Sequence, residues 1–479
     1  MPASVLEAAQ ARRREGWVLA LLVAVGALLR LFRLGTPSLW TDELFTANRY
    51  HQNLWTVIRE SDPFPPFYYI LGKLWSLVSG SSEFALRFPS VVYSVLGIGA
   101  IYLLASELFD RRTARLAAAL LVFSPYSINY AQEAKMFSLF WLLGTVSFWY
   151  LCRYLRTGAW RDLWGYAAVS ILALYTFYMG FVVLIVENLI FLALARSGRR
   201  RWGVAQLGIL LAYLPWLVRL GQAIGRREQA MGWISAPDSA GAFLMKLAAT
   251  ITGNWTAPPR LWELSLYGLL LAAAWASGVI FRRPGERVWT RGDALAVLAL
   301  VVPPLLFLAV DRVAHHVLLV RYLGFAHIPL MLLLARALAR FPRAWPPLLT
   351  GALILGWSAG YLAPYYRDSL KIERQDWRGL AQLLAARQAP GSVTVIEAWL
   401  VPRVRYYFPD IQPVEVLDEF RGAAVYRVYK GPLYVPVGWD SPQPFIPPDS
   451  LELPAGAYRL EGWTNRSQKL SCAWYVKEP

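Results

Sequence analysis

The feature that most constrains this chain is a series of apolar segments, each close to the length that a helix needs to cross a bilayer. Such a helix takes about 20 predominantly apolar residues. The segments recur from residue 17 to residue 361, and they are too many to be the core helices of one globular domain. Hydrophobic residues make up 57% of the 479 residues and charged residues only 16%, which argues against a soluble fold. The sequence therefore predicts an all-α, polytopic membrane protein.

The apolar lengths and their basic flanks predict about eleven transmembrane helices. Their expected bounds are 17–34, 88–109, 114–128, 136–152, 163–179, 181–195, 204–220, 264–281, 294–310, 318–338 and 345–361. The third segment is short and runs into Ser124-Pro125. In the first outer loop, the apolar face that continues from Phe67 through Leu77 predicts an amphipathic helix lying at the membrane interface.

The basic residues decide the orientation of the chain. The net charge is +17, and the basic clusters alternate from one connection to the next. The clusters begin at Arg12, Arg111, Arg153, Arg199, Arg282 and Arg336. This positive-inside pattern predicts a cytoplasmic N-terminus. We expect the membrane to be the plasma (inner) membrane. The charge pattern fits attraction to the lipid bilayer and does not fit nucleic-acid binding.

An odd number of spans sends the C-terminal tail to the extracytoplasmic side, so we expect two domains, 1–364 in the membrane and 365–479 outside it. The tail has a helical pattern over 376–387, which Pro390-Gly391 ends. Strand-like runs follow at 393–396, 425–429, 458–462 and 472–476. They predict a small extracytoplasmic α/β domain of roughly 110 residues.

With this orientation, acidic and basic residues collect at the outer ends of several spans. The acids there are Asp42, Glu43, Asp62 and Glu133, and the cations are Lys135 and Arg321. Ionisable residues close to lipid are costly and usually functional. We therefore expect a single site at the outer membrane interface, where Asp42 pairs more readily with the distant Glu133 than with its neighbour Glu43.

The order and spacing of these motifs resemble the GT-C superfamily of membrane glycosyltransferases, glycosyltransferase family 39, in the branch that holds the protein O-mannosyltransferases and the lipid A aminoarabinose transferases. The resemblance covers residues from about 27 to 339. The motifs are Asp42-Glu43, Pro65-Pro66-Phe67-Tyr68-Tyr69, the segment 83–90, Ser124-Pro125, the segment 132–137 and Arg321-Tyr322-Leu323. Each motif is weak alone, and the set is specific.

The resemblance implies transfer of a sugar from a polyprenyl-phosphate donor to a hydroxyl of a glycan, lipid or protein acceptor, with inversion at the anomeric carbon. Asp42 is implied as the catalytic base, Glu43 as the residue that orients it or the acceptor, and Glu133 as a ligand of the acceptor or the sugar. Fixed cations must stabilise the leaving lipid phosphate. The candidates are Lys135 and Arg321, with Arg87 third. The other candidate substrate contacts are Asp62, Tyr68, Tyr69 and Tyr322.

Phe64 and Lys135 depart from the family pattern. Relatives often carry His or Lys at the position of Phe64, and Arg is commoner at that of Lys135, where Lys keeps the charge and loses bidentate geometry. No cofactor is required by the sequence. A divalent metal is an open alternative, with Asp62 and His315 or His316 as its ligands.

Structural interpretations stand beside these functional ones. Asp42 fits the N-cap of a helix running to Tyr50. Glu133 and Lys135 fit interfacial charges at a helix start, and Arg321 with Tyr322 fits a snorkelling anchor in an aromatic belt. The aromatic residues 67–69 fit a packed interfacial helix better than a sugar platform.

Two other classes of protein compete with the transferase. A lipid or lipid-sugar transporter or flippase would also have many spans, and Glu187-Asn188 within the sixth span is its best support. The same pair fits a packing contact between helices. A non-catalytic assembly subunit is the third class.

Overall fold

The computed structural model is mostly helical. It describes residues 3–59, 64–195, 197–225, 276, 289–314, 320–341, 345–367, 376–387, 393–396, 401–410, 413–414, 424–430, 458–464 and 470–477. The predicted span at 264–281 lies outside the described residues, apart from residue 276. The contacts divide the chain into two compact units. The first comprises Met1–Phe32, Asn53–Ser79 and Arg87–Ala363, and the second comprises Arg33–Gln52, Gly80–Leu86 and Pro364–Pro479.

Helices account for the first unit and overlap the predicted apolar segments within the described residues, although the predicted span 318–338 is divided between a 3-10 helix and a separate α-helix. The helices before residue 110 are α1 (Ala3–Leu31), α2 (Thr41–His51), α3 (Leu54–Arg59), α4 (Phe67–Ser79) and α5 (Glu83–Leu108). The next are α6 (Arg111–Val122), α7 (Pro125–Ala131), α8 (Phe137–Thr157), α9 (Trp160–Thr176), α10 (Gly180–Leu194) and α11 (Arg199–Gly225). Then follow α12 (Arg291–Ala314), a 3-10 helix (Val320–Ala326), α13 (His327–Ala339) and α14 (Trp345–Arg367). Of these, α2 belongs to the second unit, and α5 and α14 each have one end in it.

The prediction of one continuous third span was wrong, because the helix breaks at Phe123 and Ser124. The Ser124 side chain accepts a hydrogen bond from the backbone N–H of Ser127, at 3.1 Å, and so caps the start of α7. Pro125 follows at the first position of α7. A proline has no N–H to continue the hydrogen bonding of α6, and it is well suited to the first turn of a new helix.

Few helices among the described residues are both long and apolar enough to cross a bilayer. Two helical stretches there meet the requirement for crossing a membrane, Glu83–Leu108 and Arg199–Arg219. Gly180–Leu194 and Gly324–Ala339 are apolar and shorter. The count of eleven spans stays a prediction.

A chain of polar side chains links the helices around Glu187. Ser147 on α8 donates to the Glu187 carboxylate at 2.6 Å. Asn188 accepts from the indole N–H of Trp202 at 2.8 Å and donates to Gln206 at 3.1 Å. Interhelical hydrogen bonds of this kind join helices in an apolar environment. The pair Glu187-Asn188 therefore has the contacts of a packing element.

The second unit contains a sheet and two helices from the C-terminal part of the chain. The helices are α15 (Trp377–Arg387) and α16 (Val401–Tyr407). The strands are β1 (Val393–Ile396), β2 (Pro413–Val414), β3 (Ala424–Lys430), β4 (Tyr458–Thr464) and β5 (Leu470–Lys477). The sheet order is β2-β1-β3-β5-β4, with β1 parallel to both of its neighbours and β5 antiparallel to β3 and β4. The helix α15 buries Trp377, Leu380 and Leu384 and leaves Leu383 half-buried.

Candidate functional site

The Asp42-Glu43 pair lies in the first turn of α2, and its two carboxylates have different surroundings. Glu43 is completely buried, and its Oε2 accepts a hydrogen bond from the backbone N–H of Trp40 at 3.3 Å. This contact holds the start of the helix. Asp42 is half-buried. The N-cap interpretation of Asp42 was wrong, since Trp40 occupies that position with an extended backbone.

Residues of α16 surround the start of α2 within the second unit. The Tyr407 hydroxyl accepts a hydrogen bond from the backbone N–H of Leu39 at 2.8 Å. Arg403 interacts electrostatically with Asp42, and this attraction partly offsets the burial that lowers the pKa of the guanidinium. Burial raises the pKa of Tyr407. The sequence interpretation missed Arg403 and Tyr407, because nothing in the tail marks them and they lie more than 350 positions from Asp42.

The second group of predicted residues lies in the turn between α7 and α8, in the first unit. Glu133 is 6% exposed and Lys135 is 5% exposed. The backbone N–H of Lys135 donates to the Glu133 carbonyl at 2.8 Å, and the Ser90 hydroxyl donates to the Lys135 carbonyl at 3.3 Å. Gln132 anchors the turn by donating to the carbonyl oxygens of Arg30 and Phe32, both at 2.9 Å. Both charged side chains are thus buried, and hydrogen bonds to the backbone hold the turn that carries them.

Arg30 is a fully buried guanidinium that the sequence interpretation did not single out. It donates to the carbonyls of Leu121 at 3.0 Å and Val122 at 3.2 Å, where α6 ends. It also donates to the hydroxyls of Ser94 at 2.8 Å and Ser127 at 2.9 Å. A cation at a helix C-terminus satisfies carbonyls that have no partner within the helix. The available signal was an arginine inside an apolar run, which is rarely accidental.

Aromatic rings line the neighbourhood of Lys135. The Lys135 ammonium lies 5.8 Å from the centroid of the Phe64 ring, within the range of a cation–π contact. Phe64 stacks on Tyr178 with ring centroids 6.0 Å apart, and Tyr178 meets Tyr322 edge-on at 6.0 Å. Phe64 therefore presents an aromatic face beside a cation.

Four of the other predicted substrate contacts are buried side chains: Arg87, Tyr68, Tyr69 and Tyr322. Tyr68 and Tyr69 meet edge-on on α4, with ring centroids 5.5 Å apart. Arg321 lies in the 3-10 helix. Asp62, His315 and His316 lie outside the described residues, and so does the metal site they would form.

Among the described residues, no group of three or more His, Cys, Asp or Glu side chains could hold a metal ion. A histidine that the sequence interpretation missed, His327, is buried at the start of α13. Its Nε2 lies 2.8 Å from the Ser124 hydroxyl. The Ser124-Pro125 motif thus joins α7 to α13 as well as starting α7.

Two chemical capacities result from this geometry. A half-buried carboxylate at a helix start can accept a proton from a hydroxyl. A buried ammonium beside aromatic rings can bind an anion in surroundings of low polarity, where its charge acts strongly. The carboxylate, Asp42, belongs to the second unit, and the ammonium, Lys135, belongs to the first unit.

Comparisons with known proteins agree with the resemblance seen in the sequence. The family model described as dolichyl-phosphate-mannose-protein mannosyltransferase matches residues 63–221. No curated protein sequence matches the chain.

Solved structures match nearly the whole chain. ArnT from Cupriavidus metallidurans in the apo state is 14% identical with a TM-score of 0.60, over 96% of this chain and 98% of that one. The same protein bound to undecaprenyl phosphate is 15% identical with a TM-score of 0.58, over the same shares of both chains. The Archaeoglobus fulgidus oligosaccharyltransferase in the apo form is 12% identical with a TM-score of 0.51, over 87% of this chain and 69% of that one. The chain therefore has the GT-C membrane fold.

Proposed function

We propose that the protein is an inverting glycosyltransferase that moves a sugar from a polyprenyl-phosphate donor to a hydroxyl acceptor. The observation that carries this proposal is the division within the acidic pair. Glu43 is buried and holds the start of α2, while Asp42 in the same turn stays half-buried beside Arg403. A carboxylate that is fixed by its helix and still accessible suits the catalytic base.

In the proposed reaction the acceptor hydroxyl attacks the anomeric carbon from the face opposite the phosphate. Asp42 takes the hydroxyl proton as the new C–O bond forms, because a neutral hydroxyl is a poor nucleophile. The bond between the anomeric carbon and the phosphate oxygen breaks, and its electron pair leaves with the polyprenyl phosphate. Single displacement inverts the anomeric centre.

The leaving phosphate gains negative charge, so the site needs cations that are already in place. Lys135 suits this role, since it is held in a buried turn whose backbone contacts Glu133 and Ser90. Arg321 and Arg87 are proposed as further phosphate contacts, and Glu133 as a contact of the acceptor or the sugar. Phe64, Tyr178 and Tyr322 provide aromatic faces close to Lys135.

The comparisons support the choice of substrate class. One matched structure is described as bound to undecaprenyl phosphate. The description of the matched family model names dolichyl-phosphate-mannose. We propose a polyprenyl-phosphate-linked hexose or pentose as donor, and a glycan, lipid or protein hydroxyl as acceptor. We further propose reaction at the extracytoplasmic face of an inner membrane crossed about eleven times, with a cytoplasmic N-terminus and the tail as an outer α/β domain.

The experiment is glycosyl transfer by purified protein in nanodiscs. The unmodified chain, Asp42→Asn and the control Asp410→Asn are each incubated with radiolabelled polyprenyl-phosphate sugars and membrane extract. Asp410 is an exposed aspartate of the same unit. We expect transfer to fall by roughly 10²- to 10⁴-fold in Asp42→Asn, the usual contribution of a general base, and to persist in the control.

Two results would contradict the proposal. Transfer by a folded Asp42→Asn at the unmodified rate would remove Asp42 as the base. Absence of transfer from every donor, with labelled lipid crossing the bilayer of sealed proteoliposomes equally fast with the unmodified chain and with Asp42→Asn, would instead indicate the flippase.

A further inference from the structure

A cluster of three side chains in the second unit holds the chain segment that leads into α2. We call it the clamp, and it consists of Glu83, Arg378 and Tyr407. Glu83 is the first residue of α5, Arg378 lies in the first turn of α15, and Tyr407 is the last residue of α16. The clamp therefore draws on three parts of the chain that are widely separated in sequence.

The three side chains bind one another. A single oxygen of Glu83, Oε1, accepts hydrogen bonds from the Tyr407 hydroxyl at 3.1 Å and from the Arg378 guanidinium. The guanidinium also lies 5.9 Å from the centroid of the Tyr407 ring. Charge-assisted bonds that share one carboxylate oxygen hold their donors in a fixed geometry. Each of the three residues thus limits the motion of the other two.

The clamp contacts the segment 36–39 at three points. The Tyr407 hydroxyl accepts a hydrogen bond from the backbone N–H of Leu39 at 2.8 Å. The backbone N–H of Arg378 donates to the Ser38 hydroxyl at 3.1 Å, and the Arg378 guanidinium donates to the Thr36 carbonyl at 3.3 Å. Trp40, the N-cap of α2, follows directly. The clamp therefore fixes where α2 begins and the direction in which it enters.

We infer that the clamp positions Asp42 for proton transfer, with Tyr407 and Arg378 as positioning residues of the C-terminal region. This inference rests on the proposed role of Asp42 as base. Asp42 is two residues beyond Trp40, so a shift in the start of α2 moves its carboxylate with it. Displacement by about 1 Å can cost on the order of 10²-fold in rate. The C-terminal region then contributes to turnover without touching the reacting atoms.

The test compares Tyr407→Phe with the control Arg405→Gln in the full chain. Phenylalanine keeps the ring and removes the hydroxyl that joins Leu39 to Glu83. Arg405 is exposed on the same helix. We expect Tyr407→Phe to lower kcat by roughly 10- to 100-fold while KM for the donor changes less than threefold, because the base moves and the phosphate contacts do not.

A second readout separates positioning from catalysis. Hydrogen exchange of peptides covering 36–51 is followed by mass spectrometry in detergent. We expect faster exchange in Tyr407→Phe, and unmodified exchange in both Asp42→Asn and Arg405→Gln. The double variant Tyr407→Phe/Glu83→Ala should lose less than the product of the single losses, since each change removes the same hydrogen bond between Tyr407 and Glu83.

The outcomes distinguish this inference from the proposed function. If Asp42→Asn abolishes transfer while Tyr407→Phe keeps kcat within twofold of the control, the positioning role is wrong and the base assignment stands. Faster exchange without loss of kcat leads to the same conclusion. If Asp42→Asn keeps full transfer, both proposals fall together.

Discussion

The start of α2 and the turn between α7 and α8 carry charged motifs that are equally visible in the sequence, yet they are held in different ways. Asp42 lies beside a segment bound by Tyr407 and Arg378, residues more than 300 positions away. Lys135 lies in a turn held by Gln132, Ser90 and the carbonyl of Arg30, all within about a hundred positions. The first motif depends on the tail of the chain, and the second on neighbouring helices. Changes in each supporting set should therefore affect one motif and spare the other.

The largest expected effect is a loss of stability in Arg30→Met, which removes a support of the turn between α7 and α8. The change leaves the Leu121 and Val122 carbonyls at the end of α6 without their donor, and each such loss costs about 1–3 kcal/mol. We expect the free energy of unfolding to fall by about 2–6 kcal/mol, measured as a lower midpoint of thermal unfolding in detergent. Arg14→Met on the exposed part of the same helix is the control. Equal midpoints for the two variants would show that the hydrogen bonds of Arg30 do not stabilise the protein.

A smaller effect, on rate, is expected from Lys135→Gln. Glutamine fits the space and lacks the charge that stabilises the leaving phosphate, so transfer should fall by about 10²-fold. Lys135→Arg keeps the charge and should retain most of the rate. Measured transfer in both variants sharpens the comparison, because loss in both would indicate that the exact shape of Lys135 matters more than its charge.

Ser124→Ala should cost about 1 kcal/mol of stability, the usual value of an N-cap. The alanine removes the acceptor for the Ser127 N–H and the contact with His327. Ser124→Thr keeps a capping hydroxyl and serves as the matched variant. Thermal midpoints measure the difference, and an Ala variant as stable as the Thr variant would contradict the capping role.

The smallest effect is expected from Glu187→Gln, which lies outside both motifs. The amide keeps an acceptor for the Ser147 hydroxyl, and interhelical hydrogen bonds of this kind contribute only about 0.6 kcal/mol on average. Transfer should be unchanged and stability should differ by less than about 1 kcal/mol. A tenfold loss of transfer, with unchanged stability, would instead assign a function to this buried carboxylate.

Much of the helical framework could be predicted from the sequence. The helical pattern over 376–387 predicted α15, and the strand-like runs of the tail predicted β1, β3, β4 and β5, whereas β2 and α16 were missed. The break at Ser124-Pro125 was misread as part of one span, since an apolar run outweighed the local capping signal. The GT-C membrane fold was predicted from the order of several motifs, which the structural comparisons confirm.

The candidate site was predicted less completely. Glu43 and Asp42 are adjacent in sequence, and only the structure separates the buried carboxylate that holds the helix from the half-buried one beside Arg403. The assignment of Asp42, Glu133 and Lys135 to catalysis stays a prediction. Arg30 could have been found from its place in an apolar run, whereas no local pattern marks Tyr407 or Arg378.

The sequence by itself determined the class of the protein and the positions of its charged motifs, because apolar length, charge placement and turn residues act over a few neighbouring positions. Only the tertiary structure decided which distant side chains support each motif. The N–H of Leu39 donates to the Tyr407 hydroxyl, and Arg30 donates to the Leu121 carbonyl at the end of α6. Such partners are chosen by folding in three dimensions, since a buried polar group must be satisfied by whatever chain segment lies beside it.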